Sequence, residues 1–278
     1  MLYKYLPANR LDVLENLAIR FTQPRALNDP FEASPLLDIS SETKGGIEQI
    51  ERDAQDFWKN VSAEEKTPEN HKKLQDTIRE LNVYALEKTS PSSVGVALMD
   101  EVNQKLGVFS LSRTFGNLLM WTHYADSHKG FVIGLDESHE FFYQRTYQGI
   151  KSAPNKISYT TQRSITHGSD PDFYAKLLCE KPIDWAYEEE VRIFRHITAE
   201  HAKNCSTDSA GYPVCLFKLP KECIKSIYIG AHAQPGLKES ILGFKKLHGL
   251  CADIYETRIS KNRYELECQK FVCNNCTK

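Results

Sequence analysis

No stretch of the 278 residues approaches the roughly 20 consecutive apolar side chains that a membrane-spanning helix needs. The first residues, MLYKYLPANRLDVL, lack the basic-then-apolar layout of a secretory signal. A cytoplasmic protein with no membrane partner is expected. Excess charge is also missing: the formal value of −2 gives no overall attraction for nucleic acid. There is no GxxxxGK followed by Ser or Thr, no GxGxxG and no GxSxG. Those absences argue against a P-loop nucleotidase, a Rossmann dehydrogenase and an α/β-hydrolase. HExxH is absent too, and the one His pair in the Trp121 region, His123 and His128, does not have the helical spacing of zinc ligands. Of eight cysteines only Cys273 and Cys276 form a CxxC, with Cys268 nearby. That is half of a tetrahedral zinc site, so no metal is assigned, and 268–278 reads as a polar Cys-containing tail.

What is present is an ordinary globular complement of apolar residues, enough to bury a core, and the chain reads as one catalytic-type domain over 1–278. The run Leu2-Tyr3-Lys4-Tyr5 predicts a strand, followed by a helix in which Leu11, Leu14 and Leu17 share a face. Asn28-Asp29-Pro30 is turn chemistry. Over 46–106 three apolar stripes at helical spacing, broken at Thr67-Pro68 and Ser90-Pro91, predict a three-helix insertion. After Gly107 the periodicity changes to strands, around 108–112, 130–135, 156–159, 190–195, 214–218 and 224–229, with a helix near 235–248. Strands outnumber regular βαβ alternations there, so the fold class is α+β with central antiparallel or mixed sheets.

Three segments could carry chemistry. Glu188-Glu189-Glu190-Val191-Arg192 reads as a strand start that would aim Glu188 and Glu190 at one face, with Arg192 beyond them. Paired carboxylates raise each other's proton affinity, and the same run also fits an exposed, solvated acidic strand end. Met120 to Gly130 packs Trp121, His123, Tyr124, Asp126 and His128 closely, which suits a planar ligand or a buried aromatic core. The third segment, Ala26-Leu27-Asn28-Asp29-Pro30-Phe31-Glu32, is a turn that gains meaning only if it faces the same cleft.

Taken in order, these pieces resemble a widespread, mostly bacterial domain family of unknown function. Its pattern is an LYKY strand, an NDPFE turn, an LMWxHYAxxHxG segment and WxYExEVR, here at 2–5, 28–32, 119–130 and 185–192. The layout also resembles ADP-ribosyltransferases, in which a first strand orients NAD, a middle strand carries Ser-x-Ser and a late strand carries ExE before Val. Lys4, Ser110-Leu111-Ser112 and Glu188-x-Glu190-Val191 fall at those three positions. Lys4 stands where His or Arg is usual.

The resemblance implies transfer of ADP-ribose from NAD, used as substrate, to a nucleic acid or protein acceptor. It implies Glu190 as the carboxylate beside the developing ribosyl cation, Glu188 as activator of the acceptor, and His123 as a hydrogen-bonding group or base. Lys4, Tyr5, Asn28, Ser110, Ser112, Trp121, Tyr124 and Arg192 would bind NAD, with Trp121 or Tyr124 stacking. Members of this kind resemble toxin and anti-phage defence components, which implies an antitoxin or regulatory partner. Three other readings stand beside it: an NAD glycohydrolase using water at the same site, a non-catalytic ligand- or partner-binding module, and a metal-dependent nuclease using Glu188, Glu190 and His123.

Overall fold

Strand-forming runs rich in Val, Ile, Phe and Tyr build the scaffold, with alternate residues on opposite faces. The computed structural model describes residues 1–29, 31–32, 36–38, 40–88, 91–144, 152–167, 173–198, 200 and 205–271. The strands are β1 (Leu2–Leu6), β2 (Ala18–Arg20), β3 (Leu36–Asp38), β4 (Leu106–Ser112), β5 (Phe131–Leu135), β6 (Asn155–Lys156), β7 (Ser158–Thr160), β8 (Ile165–His167), β9 (Glu180–Pro182), β10 (Glu190–His196), β11 (Leu216–Lys218), β12 (Ile224–Ile229), β13 (Asp253–Ile259) and β14 (Leu266–Lys270). The helices are α1 (Asp12–Asn16), α2 (Ser40–Asn60), α3 (Pro68–Lys88), α4 (Pro91–Lys105), α5 (Leu118–Tyr124), α6 (Phe173–Leu178) and α7 (Pro235–His248).

The chain divides into two compact units. One comprises residues 33–102 and 162–177. It holds α2 and α3, where the rings of Trp58 and His71 meet at 5.0 Å, and the parallel pair β3–β8. The helices expected over 46–106 are present as α2, α3 and α4, but α2 begins earlier, at Ser40.

The other unit comprises 1–32, 103–161 and 178–278. Its centre is an eight-stranded mixed sheet in the order β14-β13-β12-β5-β1-β4-β10-β6. Only β12–β13 is a parallel pair; the remaining neighbours are antiparallel. On one face Leu2, Leu6, Phe109, Leu111, Ile133, Val191, Ile193 and Ile227 meet α1 and α7 in the main core. On the other face Tyr5, Val132 and Tyr228 pack with Met120, Trp121 and Ala125 of α5 and the residue after it. The strict alternation of Phe131, Ile133 and Leu135 against Val132 follows from the pleat.

The pairing of the sheet is uneven. β4 and β10 pair over seven residues and β1 and β5 over five, but β1 and β4 share the single pair Tyr3↔Ser112. Beyond that pair the strands part. The chain after β2 enters beside β4, where Thr22 N–H donates to Val108 O at 2.8 Å and Val108 N–H donates to Thr22 O at 2.7 Å. Gly107 allows that approach, because a Cβ there would stand 2.6 Å from Phe21 Cβ. Leu118–Tyr124, which includes Met120-Trp121-Thr122-His123-Tyr124, forms α5, capped by Asn117, whose side chain accepts from Leu119 N–H at 2.9 Å and Met120 N–H at 3.1 Å. Among the described residues no helix is long and apolar enough to cross a membrane. Cys268 lies exposed on β14, whereas Pro30, Cys273 and Cys276 fall outside the described residues.

Candidate functional site

The fork between β1 and β4 opens into a cavity lined from several strands, α5 and the segment after β2. Register explains much of its lining. Tyr3 pairs with Ser112, Ser112 pairs with Glu190 and Ser110 pairs with Arg192, so these side chains share one face of three strands. Tyr5 joins them by alternation along β1. Met120 and Tyr124, one turn apart on α5, and Leu27, Asn28 and Glu32 from the segment after β2 complete much of the wall.

At its base sits a buried network of five charged side chains. Lys181 Nζ lies 2.7 Å from Glu188 Oε2, 3.3 Å from Glu190 Oε2 and 3.1 Å from Glu32 Oε1. Arg192 Nε donates to Glu190 Oε1 at 2.8 Å, and its Nη2 donates to Glu190 Oε2 at 3.0 Å and to Glu32 Oε2. Arg192 Nη1 donates to Leu178 O at 2.7 Å. All five are buried. Three carboxylates against two cations leave one negative charge in excess when all are ionised.

The two central carboxylates are driven apart in proton affinity. Burial works to raise Glu190, but the charge and hydrogen bonds of Arg192, helped by Lys181 and the Ser110 hydroxyl, outweigh it and hold the carboxyl at about 2. For Glu188 burial wins over Lys181 and Tyr124, and its proton affinity is raised. Burial would lower Lys181, yet Glu190, Glu32 and Glu188 together keep it protonated well above its ordinary range. Tyr124 Oη donates to Glu188 Oε1 at 2.5 Å and accepts from Asn28 Nδ2 at 3.2 Å, so a hydrogen-bonded chain runs from Asn28 to Glu188. Burial and Glu188 raise the Tyr124 phenol. Glu190 N–H donates to Tyr159 Oη at 2.7 Å, and burial pushes that phenol up to about 12.

Most of the residues singled out by sequence converge here: Lys4, Tyr5, Asn28, Ser110, Ser112, Tyr124, Glu188, Glu190 and Arg192 all line the cavity. Three placements differ from expectation. His123 is not in the lining; it is exposed, with its ring 6.4 Å from Tyr124 and 6.3 Å from Tyr187. The helical repeat that turns Met120 and Tyr124 inward turns His123 away. Trp121 is fully buried core, edge-on to Tyr5 at 5.6 Å, with Nε1 donating to Phe115 O at 2.7 Å, so it has no free face for a ligand. Glu188 does not open the strand. It ends a 3₁₀ turn over Ile183–Glu188, and Glu189, at φ 45°, bends the chain before β10 begins at Glu190.

Lys4 lines the fork, but its ammonium is already engaged. It donates to Ser110 O at 3.0 Å and lies 5.5 Å from the centre of the Phe109 ring. Burial, with Arg10 adding and Glu190 opposing, lowers its pKa to about 8. Lys181 and Glu32 were missed as site residues. Glu32 lay within a motif already noted, whereas nothing in the local pattern of Leu-Leu-Cys-Glu-Lys-Pro sets Lys181 apart.

A pH dependence follows. Glu190 is held at about 2, below the roughly 4.3 of an unfolded glutamate, so its contribution to stability is complete above the unfolded value and drains as pH falls toward the folded one. About 2 kcal/mol is expected to be lost from this group on acidification from about pH 4.5 to 2. Glu188, with its proton affinity raised, acts in the opposite sense: its contribution is lost as pH rises through its folded value. Urea midpoints measured across that range should fall less steeply in Glu190→Gln than in the wild type. Equal slopes would contradict the assignment.

Residues 120–193 match the model of a family described as a protein of unknown function (DUF2971). The matched stretch contains Tyr124, Lys181, Glu188, Glu190 and Arg192, but not Lys4, Glu32 or Ser110. No curated protein and no solved structure matches the chain.

Proposed function

We propose that this cavity transfers ADP-ribose from NAD, in an ADP-ribosyltransferase-like arrangement of the sheet. The observation that carries the reading is the pair Glu188 and Glu190, adjacent on one lysine but opposite in proton affinity. Two carboxylates held in such different states suit one fixed anion and one proton acceptor. Heterolysis of the C1′–N bond sends its electron pair to nicotinamide and leaves positive charge on the ribose. Glu190, ionised throughout the physiological range, supplies a fixed negative charge beside it. The acceptor then bonds to C1′ and gives up its proton, which Glu188 takes.

The donor set fits the oxidised nicotinamide riboside end of NAD. Ser110, Ser112 and Asn28 offer hydrogen-bonding groups for the ribose hydroxyls. The acceptor in this reading is a nucleic acid or protein.

The test is incubation with NAD labelled on the adenylate, with and without cell lysate, against heat-inactivated protein. Nicotinamide release with label on RNA, DNA or protein is expected. Nicotinamide release without label would make the protein an NAD glycohydrolase. Neither signal above background would overturn the NAD chemistry and leave a binding module, and loss of a nucleolytic signal on adding EDTA would replace it with a nuclease.

A further inference from the structure

Away from the cavity, the chain leading to β11 doubles back on itself. Thr207 and Pro213 form an antiparallel bridge, flanked by Val214 N–H donating to Ser206 O at 2.7 Å and Asp208 N–H donating to Tyr212 O at 2.9 Å. Those bonds make Thr207 and Pro213 a non-hydrogen-bonded pair. Two residues further out, in the same kind of position, the register sets Cys205 opposite Cys215. Such positions bring facing Cα atoms to about 4.5 Å, inside the roughly 4.4–6.8 Å that a disulfide spans. The two Sγ atoms are 3.5 Å apart, and neither cysteine is in a disulfide.

Other groups fix the hairpin, so the thiols are held together by a frame they do not make. Asp208 Oδ1 accepts from Ala210 N–H at 3.0 Å and Tyr212 N–H at 2.9 Å, and its Oδ2 accepts from Arg20 Nη2 at 2.6 Å. Phe21 N–H donates to Cys215 O at 3.1 Å, and Gln23 Nε2 donates to Pro213 O at 2.9 Å.

We propose that Cys205 and Cys215 are an oxidation site, converted reversibly to a cross-strand disulfide by a peroxide. The exposures assign the order of events. Cys205 is half-buried and Cys215 is sealed, so the oxidant meets Cys205. Its thiolate attacks the peroxide O–O bond, forming a sulfenic acid and releasing hydroxide. Cys215 then attacks that sulfur, the S–S bond forms and water leaves with the Cys215 proton. Two thiols lose two electrons in all and the peroxide is reduced to two waters. Burial pushes the Cys215 thiol up to about 12, with Cys205 adding, so Cys215 acts as the second, resolving sulfur. This inference stands apart from the NAD reading.

Reduced full-length protein is treated with a few equivalents of hydrogen peroxide, blocked with N-ethylmaleimide, digested and mapped by mass spectrometry. Wild type should lose two alkylatable thiols, carried in one peptide that joins Cys205 to Cys215 and is released by dithiothreitol. Cys251→Ser, at an exposed cysteine, should leave that peptide intact. Cys205→Ser should abolish it. Cys215→Ser should leave Cys205 as a sulfenic acid that dimedone traps. The proposal is overturned if Cys205 and Cys215 stay fully alkylated while Cys251 or Cys268 oxidises, or if the two missing thiols map to another pair. The wild-type map decides this without any variant.

Discussion

Lys181→Met is expected to cost about 3–5 kcal/mol of stability at neutral pH, because it breaks a buried ion network from one side only. The substitution leaves the buried Glu32, Glu188 and Glu190 facing Arg192 alone. Methionine nearly matches the lysine stem in volume, so the loss reports charge rather than a cavity. Two internal checks follow from the same cause. Lys181→Met combined with Glu188→Gln should recover part of the loss, since one unpaired carboxylate is removed. Mild acid should likewise narrow the gap from wild type as carboxylates protonate. Chemical denaturation at pH 7 and pH 5 reads both effects. A Lys181→Met midpoint within error of wild type would mean that the network does not hold the fold together.

Under the proposed transfer of ADP-ribose, Glu190→Gln is expected to slow nicotinamide release by about 10²–10³-fold with little change in KM for NAD, the size of effect seen when one preorganised electrostatic group is lost. Glutamine keeps the shape and one acceptor for Arg192 but removes the fixed charge. Glu188→Gln should act differently. With the proton affinity of Glu188 raised, wild-type activity should climb with pH through a value above the ordinary carboxylate range, as Glu188 becomes able to accept a proton. Glu188→Gln should flatten that limb, and Glu190, already ionised, should contribute no limb above pH 4. Rates measured from pH 4 to 9 separate the two roles. Full activity in Glu190→Gln would remove the residue from the mechanism.

The sequence made the strands legible where apolar, strand-forming residues run together, as at 130–135 and 224–229, and the three helices between 40 and 105 where apolar spacing is helical. It made the convergence of β1, β4 and β10 legible only through motif order, because register across strands more than seventy residues apart leaves no local trace. Glu188 and Glu190 did end near one another, but for a reason alternation does not contain. A left-handed Glu189 bends the chain, and Lys181 draws both carboxylates in. The aromatic segment misled in the opposite way. Trp121 and His123 have the chemistry of ligand-binding groups, and the helical repeat sends one to the core and the other to solvent. Lys181 was invisible because a lysine on a three-residue strand looks like any surface lysine until three acids from elsewhere surround it.

The lone rung between β1 and β4 bears on how the protein opens and closes. Seven paired residues zip β4 to β10 and five zip β1 to β5, so each side is expected to exchange its amide hydrogens slowly and as a unit. Between them lie the pair Tyr3↔Ser112 and a few side-chain bonds such as Lys4 to Ser110 O. Opening there unpairs far less backbone than melting either side. A ligand lodged at that boundary would suppress that opening, and its arrival would register as amide protection along Leu2–Leu6 and Leu106–Ser112 before any change in the core.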